Sequence, residues 1–483
     1  MNENKPILVG GIGEINFGKQ WRQGNRVYDS ENIAMCLMSQ PIGNAGGFSY
    51  LYTIQNKLNN EGVNTMKEFT NNLLKKFNFK MDEIKIFDSF AGIGSMHNSL
   101  KFLGVPTKII GLSETDVDAT ISYAGIHIDN FIKLEFKYPS ENQMREWLMN
   151  RNIGWDFQKQ KSCIPRLKKA KLYKVYKASV LLNNLGDISQ INYKELPDFD
   201  LFNFSFPCTD LSNAGKQKGL KNEDGTPTRS GLVKYGIELI KTKKPKYIMI
   251  ENVKALIQKK FIGDFYDIVN EIEDYGYKCY YPKKENGQPT CLNAKDYGIA
   301  QNRERIFVIC VRNDVDNGLF EFPKGFDSGL RLKDFLENTV EDKYFLSEEI
   351  QNRFKLNGNE DEKHDTNEIA QIEGMNYKAT RSICNPNMYC RTLDTMGGGQ
   401  REPKTIELNN NKEIEDNLQS NFRIRKLTPK ECWRLMGFTD KQFDKAKELG
   451  ISDSQLYKQE GNSIVVNVLY YIFKELFKKY IIK

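Results

Sequence analysis

Residues Ile84–Gly104 read IKIFDSFAGIGSMHNSLKFLG. Ile84-Lys85-Ile86-Phe87 is a strand-like run, and Asp88 to Gly94 is a tight turn. Ser95 to Leu103 carries helical spacing, with Gly104 as its stop. A strand, a Gly-x-Gly turn and a helix set a ligand against free helix N–H groups, and the glycines let it approach the backbone closely. Lys108 to Leu112 reads as a second strand. Glu114 follows it, 20 residues past Gly94. A carboxylate there accepts both hydroxyls of a ribose. The third glycine of a dinucleotide-binding turn is missing, because Ser95 and Met96 come next. That points away from NAD and leaves room for an adenosyl ligand without a pyrophosphate.

Working outward, strand candidates recur at Asp200–Phe206, Tyr247–Ile250 and Ile306–Val311. Helical segments such as Leu232–Ile240 and Phe261–Ile272 lie between them. Alternating strands and helices predict an α/β fold with a parallel, doubly wound sheet. Residues 157–186 interrupt the rhythm with eight basic residues and no acidic one. Residues 313–420 lose the alternation and are expected to form a smaller, irregular, partly β unit. Regular structure returns after Arg423. Thr428-Pro429-Lys430-Glu431 is a capping box with proline at the first helical position, and Ser463–Tyr480 reads as an amphipathic helix. Residues 1–80 are rich in glycine turns. A faint echo links Arg26–Leu37 with Arg381–Leu393.

The chain has 483 residues, enough for two or three structural units at about 150 residues each. Lys and Arg outnumber Asp and Glu by 70 to 63, a mild excess compatible with a nucleic-acid partner. No stretch approaches the roughly 18 apolar residues of a membrane span, and the N-terminus lacks a signal pattern. A cytoplasmic protein is expected. Nine cysteines without a CxxC pair, and three histidines far apart in sequence, argue against zinc and against a histidine base. The cysteines read as thiols of a reducing compartment.

Three further places carry chemistry. Pro207-Cys208 ends a buried strand, where sheet enzymes bind ligands, although a strand-end cysteine more often only packs. The loop Ser212 to Gly219 after it is small, polar and basic, suited to closing over a polyanion. Glu251-Asn252-Val253 ends another strand, and its carboxylate is either an exposed strand end or an acid with a raised pKa. Gln301-Asn302-Arg303-Glu304-Arg305 sets two arginines at i and i+2, which on an extended chain point the same way.

In order and spacing these elements resemble the cytosine-5 DNA methyltransferases. The resemblance covers residues 84–312 and 423–480. Phe90-Ala91-Gly92-Ile93-Gly94 is similar to the family's first motif and Pro207-Cys208 to its nucleophile motif. Glu251-Asn252-Val253, Gln301 to Arg305, Arg425 to Pro429 with Arg434 to Phe438, and Gly461 to Val468 match later motifs in sequence. The resemblance implies a Rossmann-like domain that binds S-adenosylmethionine and methylates carbon 5 of a cytosine flipped out of duplex DNA. It implies Cys208 as nucleophile, Glu251 as the acid at ring nitrogen 3, Arg305 on the cytosine carbonyl and Arg303 as a brace. Phe90, Gly92, Gly94, Glu114, Asp187, Asn462, Ser463 and Val465 would line the cofactor, and Ser212, Lys216, Gln217, Arg229 and Thr392 would meet DNA.

The expected organisation is a Gly-rich extension at 1–80, a catalytic domain at 81–312 with a basic insertion at about 125–183, a target-recognition domain at 313–420, and closing motifs at 421–483. From Glu114 to Asp187 is 73 residues, longer than the family's usual linker. A monomeric bacterial or phage enzyme is expected, either an orphan or paired with a restriction endonuclease. A transfer-RNA methyltransferase on the same scaffold is the alternative.

Overall fold

The computed structural model describes residues 8–11, 26–28, 75–157, 159–207, 230–356, 367–375, 378–396, 400–408 and 422–482. The sequence echo from Arg26 to Leu37 lies mostly outside them. So do Gly43 to Gly47 and the turn Gly397-Gly398-Gly399. The chain divides into two compact units: residues 72–329, 394–397 and 432–483 form one, and residues 330–393 and 398–431 belong to the other with the front segment. No helix among the described residues is long and apolar enough to cross a membrane.

The larger unit holds a seven-stranded sheet: β1 (Ile84–Ser89), β2 (Thr107–Ser113), β3 (Leu201–Phe204), β4 (Tyr247–Val253), β5 (Tyr277–Tyr280), β6 (Leu292–Asn293) and β7 (Glu304–Arg312). Its order is β6-β7-β4-β3-β1-β2, with β5 also on β7. β1 to β4 are mutually parallel, as expected of a doubly wound sheet. The remaining pairings correct the all-parallel expectation, because β7 runs antiparallel to β4, β5 and β6. The chain reaches β7 from β5 through β6 and a short 3-10 turn, with no crossover helix to return it in the parallel sense. Strand order reverses at β1, which opens a crevice outside the carboxyl ends of β1 and β3.

Helices cover both faces. α1 (Ser95–Leu103) starts at Gly94 and stops at Gly104, both left-handed. α2 (Val117–His127) is capped by Asp116, which accepts from the Ala119 N–H at 2.9 Å. α3 (Glu141–Met149) and α4 (Lys169–Leu181) arise from the long insertion, and α4 packs on α2. α5 (Val233–Lys243) and α6 (Ile262–Asp274) bury Ile237, Ile240, Phe265 and Ile268 against Phe87, Phe202, Phe204 and Ile250 of the sheet. Each such side chain stabilises the fold by about 1.5–3 kcal/mol. The alternate strand residues Asp88 and Asn203 turn to the other face, where Tyr123 of α2 meets Asp88. α7 (Asp440–Glu448), α8 (Asp453–Asn462) and α9 (Val466–Leu476) complete the unit, with α9 against α1.

The second unit is built on strands β8 (Phe354–Leu356), β9 (Glu368–Ile372), β10 (Ser382–Cys384), β11 (Lys404–Leu408) and β12 (Phe422–Lys426), in that order. Its small core joins Leu346, Ala370, Ile372, Ile383, Ile406 and Ile424. Fully buried Arg425 donates to both oxygens of Glu431 at 2.8 Å and pairs with Glu407. Thr428 and Glu431 form the capping box read from the sequence, at 2.7 and 3.2 Å.

Two features appear only in three dimensions, and the second corrects an expectation. His97 of α1 and His127 of α2, far apart in the chain, stack with ring centroids 4.4 Å apart. Cys279 and Cys310, read as thiols, are joined as a disulfide. The β5–β7 register sets them directly opposite one another, and that register is invisible in their spacing of 31 residues.

Candidate active site

The crevice collects the ends of β1, β2, β3 and β4, all within the larger unit. After β1 the chain turns through Phe90 and Gly92, both at positive φ (53° and 55°). Phe90 lies over Phe204 with ring centroids 6.3 Å apart. A side chain on Gly92 would point into open space, whereas one on Gly94 would run into the rings of His127 and Tyr123. His127 donates from Nε2 to the Ile93 carbonyl at 3.0 Å, which fixes the ring's tautomer, since a carbonyl only accepts. Burial pushes its pKa well down, with His97 next to it adding to the effect. The glycine turn therefore rests on a neutral imidazole.

Glu114 follows β2. Its carboxylate accepts from the Gly92 N–H at 2.8 Å and the Asp116 N–H at 2.7 Å. Burial raises its pKa, Asp116 adds to this, and the two N–H bonds oppose it. Asn184 holds the Glu114 backbone from both sides, accepting from its N–H at 3.1 Å and donating to its carbonyl at 2.9 Å. Asp187 is buried; it accepts from the Ser189 N–H and hydroxyl and from Asn152 Nδ2 at 3.0 Å. Asn152 and Asn184 were missed by sequence reading. The pair Asn183-Asn184 ahead of Gly186 was a visible signal for the second; nothing local marked the first.

Glu251 sits on β4, and Arg305 lies diagonally across on β7. Their side chains pair at 3.1 Å (Nε to Oε1), with exposures of only 17% and 12%. Burial raises the Glu251 pKa, and the charges of Arg305 and Arg303 pull it back. Of the two readings left open for Glu251, an exposed strand end is therefore excluded. Next to it, Asn252 donates to the Phe206 carbonyl at 3.1 Å, which ties the chain two residues before position 208 to the strand end of Glu251. Cys208 itself, with Ser212, Lys216, Gln217 and Arg229, lies outside the described residues.

Arg303 points elsewhere than Arg305. It is buried and donates to the carbonyls of Gly461 (3.0 Å) and Ser463 (2.9 Å). It thus braces the segment containing Asn462, Ser463 and Val465. In that segment Ser463 and Val465 are buried and Asn462 is exposed. Lys458 of α8 pairs with Asp116 at 2.5 Å, bringing the C-terminal helices to the Glu114 rim. Thr392 belongs to the second unit, where its carbonyl accepts from Arg391 at 3.1 Å and Leu393 beside it is buried.

This fold and this set of strand ends define a Rossmann-like methyltransferase. A sequence model of the C-5 cytosine-specific DNA methylase family matches residues 150–478, and the chain belongs to that family. It is similar to the type II methyltransferase M2.ScrFI of Lactococcus lactis subsp. cremoris, 37% identical over 82% of this chain and 99% of that protein. It is also similar to the orphan methyltransferase M.SssI of Spiroplasma monobiae, 30% identical over 82% and 98%, and to the type II methyltransferase M.HhaI of Haemophilus parahaemolyticus, 33% identical over 59% and 78%. As a member of this family the protein is a DNA (cytosine-5-)-methyltransferase.

Proposed function

We propose that the enzyme methylates a cytosine rotated out of duplex DNA, through a transient bond between Cys208 and the base. The observation that carries this reading is the buried Glu251–Arg305 pair beside Asn252, whose side chain holds the backbone leading into Cys208. Carbon 5 of cytosine is a weak nucleophile. Addition of the Cys208 thiolate to carbon 6 breaks aromaticity and makes carbon 5 enamine-like. Charge then builds at ring nitrogen 3, where Glu251 donates a proton; burial favours its protonated form. Arg305 orients Glu251 and holds the cytosine carbonyl. Once carbon 5 is methylated, loss of its proton and expulsion of the thiolate restore the ring. Both target carbons are enclosed in a stacked duplex, so the base leaves the stack first, at a cost of a few kcal/mol.

S-adenosylmethionine, when bound, supplies the methyl group as an electrophile on a sulfonium. The residues present fit it. Gly92 leaves open space at its α-carbon, Phe90 offers an aromatic face, and Glu114 presents a carboxylate to ribose hydroxyls. Asp187 would accept from the adenine amino group, and Asn462, Ser463 and Val465 would close the site. Ser212, Lys216, Gln217, Arg229 and Thr392 are assigned to DNA contact. The relatives support a bacterial or phage setting, in the cytoplasm, with a restriction partner in the type II case.

The test is a duplex carrying 5-fluorocytosine at the target. The fluorine blocks loss of the carbon 5 substituent, so the enzyme is expected to stay bonded to the DNA through Cys208. Mass spectrometry of the trapped peptide should locate the bond, and Cys208→Ala should trap nothing while still binding the cofactor. Absence of an adduct in the unaltered enzyme would overturn the mechanism.

A further inference from the structure

Residues 128–186, the insertion between Glu114 and Asp187, hold 12 Lys and Arg against 5 Asp and Glu. That excess of 7 equals the excess of the whole chain, 70 against 63, so the rest balances at 58 to 58. The insertion folds as a small layer on the larger unit, with Met144, Leu148, Leu172 and Val175 buried. It is fixed to the candidate cofactor rim. The Gly154 N–H donates to the Thr115 carbonyl at 2.7 Å, and the Asp187 N–H donates to the Arg151 carbonyl at 2.9 Å.

Some of its cations serve the fold. Lys171 pairs with Asp118 at 2.7 Å, Lys174 donates to the Leu449 carbonyl, and Lys177 caps the carbonyls of Phe131 and Leu134. Lys133, Lys137, Lys161, Arg166 and Lys168 do not: they are exposed, and none has a carboxylate partner among the described residues. The insertion also carries a strip of half-buried rings. Tyr138 lies 4.7 Å from Tyr173 and 4.8 Å from Phe136; Tyr176 lies 6.1 Å from Phe136 and 5.4 Å from Trp147. Cations stack on this strip, Lys169 over Tyr173 at 5.6 Å and Arg151 over Trp147 at 3.9 Å. Arg145 ties the 161–168 segment to α3 through the carbonyls of Ile164 and Leu167. The insertion thus presents five exposed cations without carboxylate partners, while Lys169, which pairs with Glu141 at 3.3 Å, and Arg151 stack on its rings.

We propose that this insertion is a second DNA surface, which grips the phosphates of duplex DNA flanking the target sequence. The inference rests on the functional reading above, because the polyanion it fits is the enzyme's own substrate. Five exposed cations meet phosphates without the desolvation cost of a buried pair, and neutralising phosphates releases condensed counterions.

The experiment compares two duplexes, one trimmed to the methylated site and one extended on both sides by about two helical turns, with affinity followed against salt. The variant combines Lys133→Gln, Lys137→Gln, Lys161→Gln, Arg166→Gln and Lys168→Gln, all at exposed positions, and a thermal melt verifies its fold. On the extended duplex the salt slope is expected to fall by about 4 to 5, at roughly 0.9 for each of the five lost phosphate contacts. Affinity for the trimmed duplex, turnover at saturating DNA and binding of S-adenosylmethionine should not change. An unchanged slope on the extended duplex overturns the proposal. A loss confined to turnover overturns it as well. Failure of the unaltered enzyme to methylate duplex DNA would instead refute the functional reading, and it is scored separately from the slopes.

Discussion

Glu251 shows what burial does to a single carboxyl. Exposed, it would titrate as an ordinary acid; enclosed beside Arg305 it is pulled in two directions, and desolvation is the larger cause. The net effect of burial is to favour the protonated form that a proton donor needs. Glu251→Gln keeps the shape and removes the proton exchange, so methyl transfer should slow by at least about 100-fold, the usual scale for a lost general acid. Single-turnover rates with saturating cofactor check this, and a rate near that of the unaltered enzyme would remove Glu251 from the scheme. The residue motifs around it were legible because each chemical role demands a residue type at a strand end. Asn152 and His127 were not legible. They act through contacts made 35 and 34 residues away in the chain, and only the packed fold closes those distances.

At the level of elements, the C-terminal segment returns to Arg303 and to Asp116 beside Glu114. Arg303 joins the turn before β7 to the segment between α8 and α9, with one terminal nitrogen serving two carbonyls. A lysine carries the charge but not the planar fork. Arg303→Lys should therefore weaken binding of S-adenosylmethionine roughly 10- to 100-fold, as expected when one charge-assisted bond worth about 1.5–3 kcal/mol is lost. Calorimetric titration without DNA measures it; an unchanged affinity would reduce Arg303 to a packing residue. The strands and helices themselves were readable from hydrophobic runs and glycine stops. The direction of β7 was not, because polarity depends on how the chain crosses the sheet rather than on the strand's own residues.

For the whole molecule, Asp88 is a buried liability. It is fully buried on β1, its carboxyl accepts from Asn203 and meets Tyr123, and burial lifts its pKa to about 7. The ordinary value is 3.8. Between the two, the folded protein keeps a proton that the unfolded chain has lost, so this group's contribution to stability falls as pH rises through that window. Asp88→Asn has no proton to lose and keeps the acceptor for Asn203. Its stability relative to the unaltered protein should climb between about pH 4 and pH 7, by on the order of 4 kcal/mol. Urea unfolding across that range provides the comparison, and parallel curves for the two proteins would contradict it. His97 and His127, whose pKa values are lowered, act in the opposite sense: their contribution is lost as pH falls below their ordinary value of 6.5. The difference between variant and unaltered protein isolates Asp88 from them.

Local sequence alone determined the class of fold, the strand ends that carry chemistry and the family. Those features depend on short-range rules: apolar runs make strands, glycine permits turns, and a reactive group needs a fixed neighbour. Tertiary structure decided the rest. It stacked two distant histidines under the glycine turn, joined two cysteines across a register, fixed Arg303 to the carbonyls of Gly461 and Ser463, and set Lys169 and Arg151 on the rings of the insertion. Each of these is a meeting of groups remote in the chain, and such meetings are set by sheet order and helix packing, which no window of sequence contains.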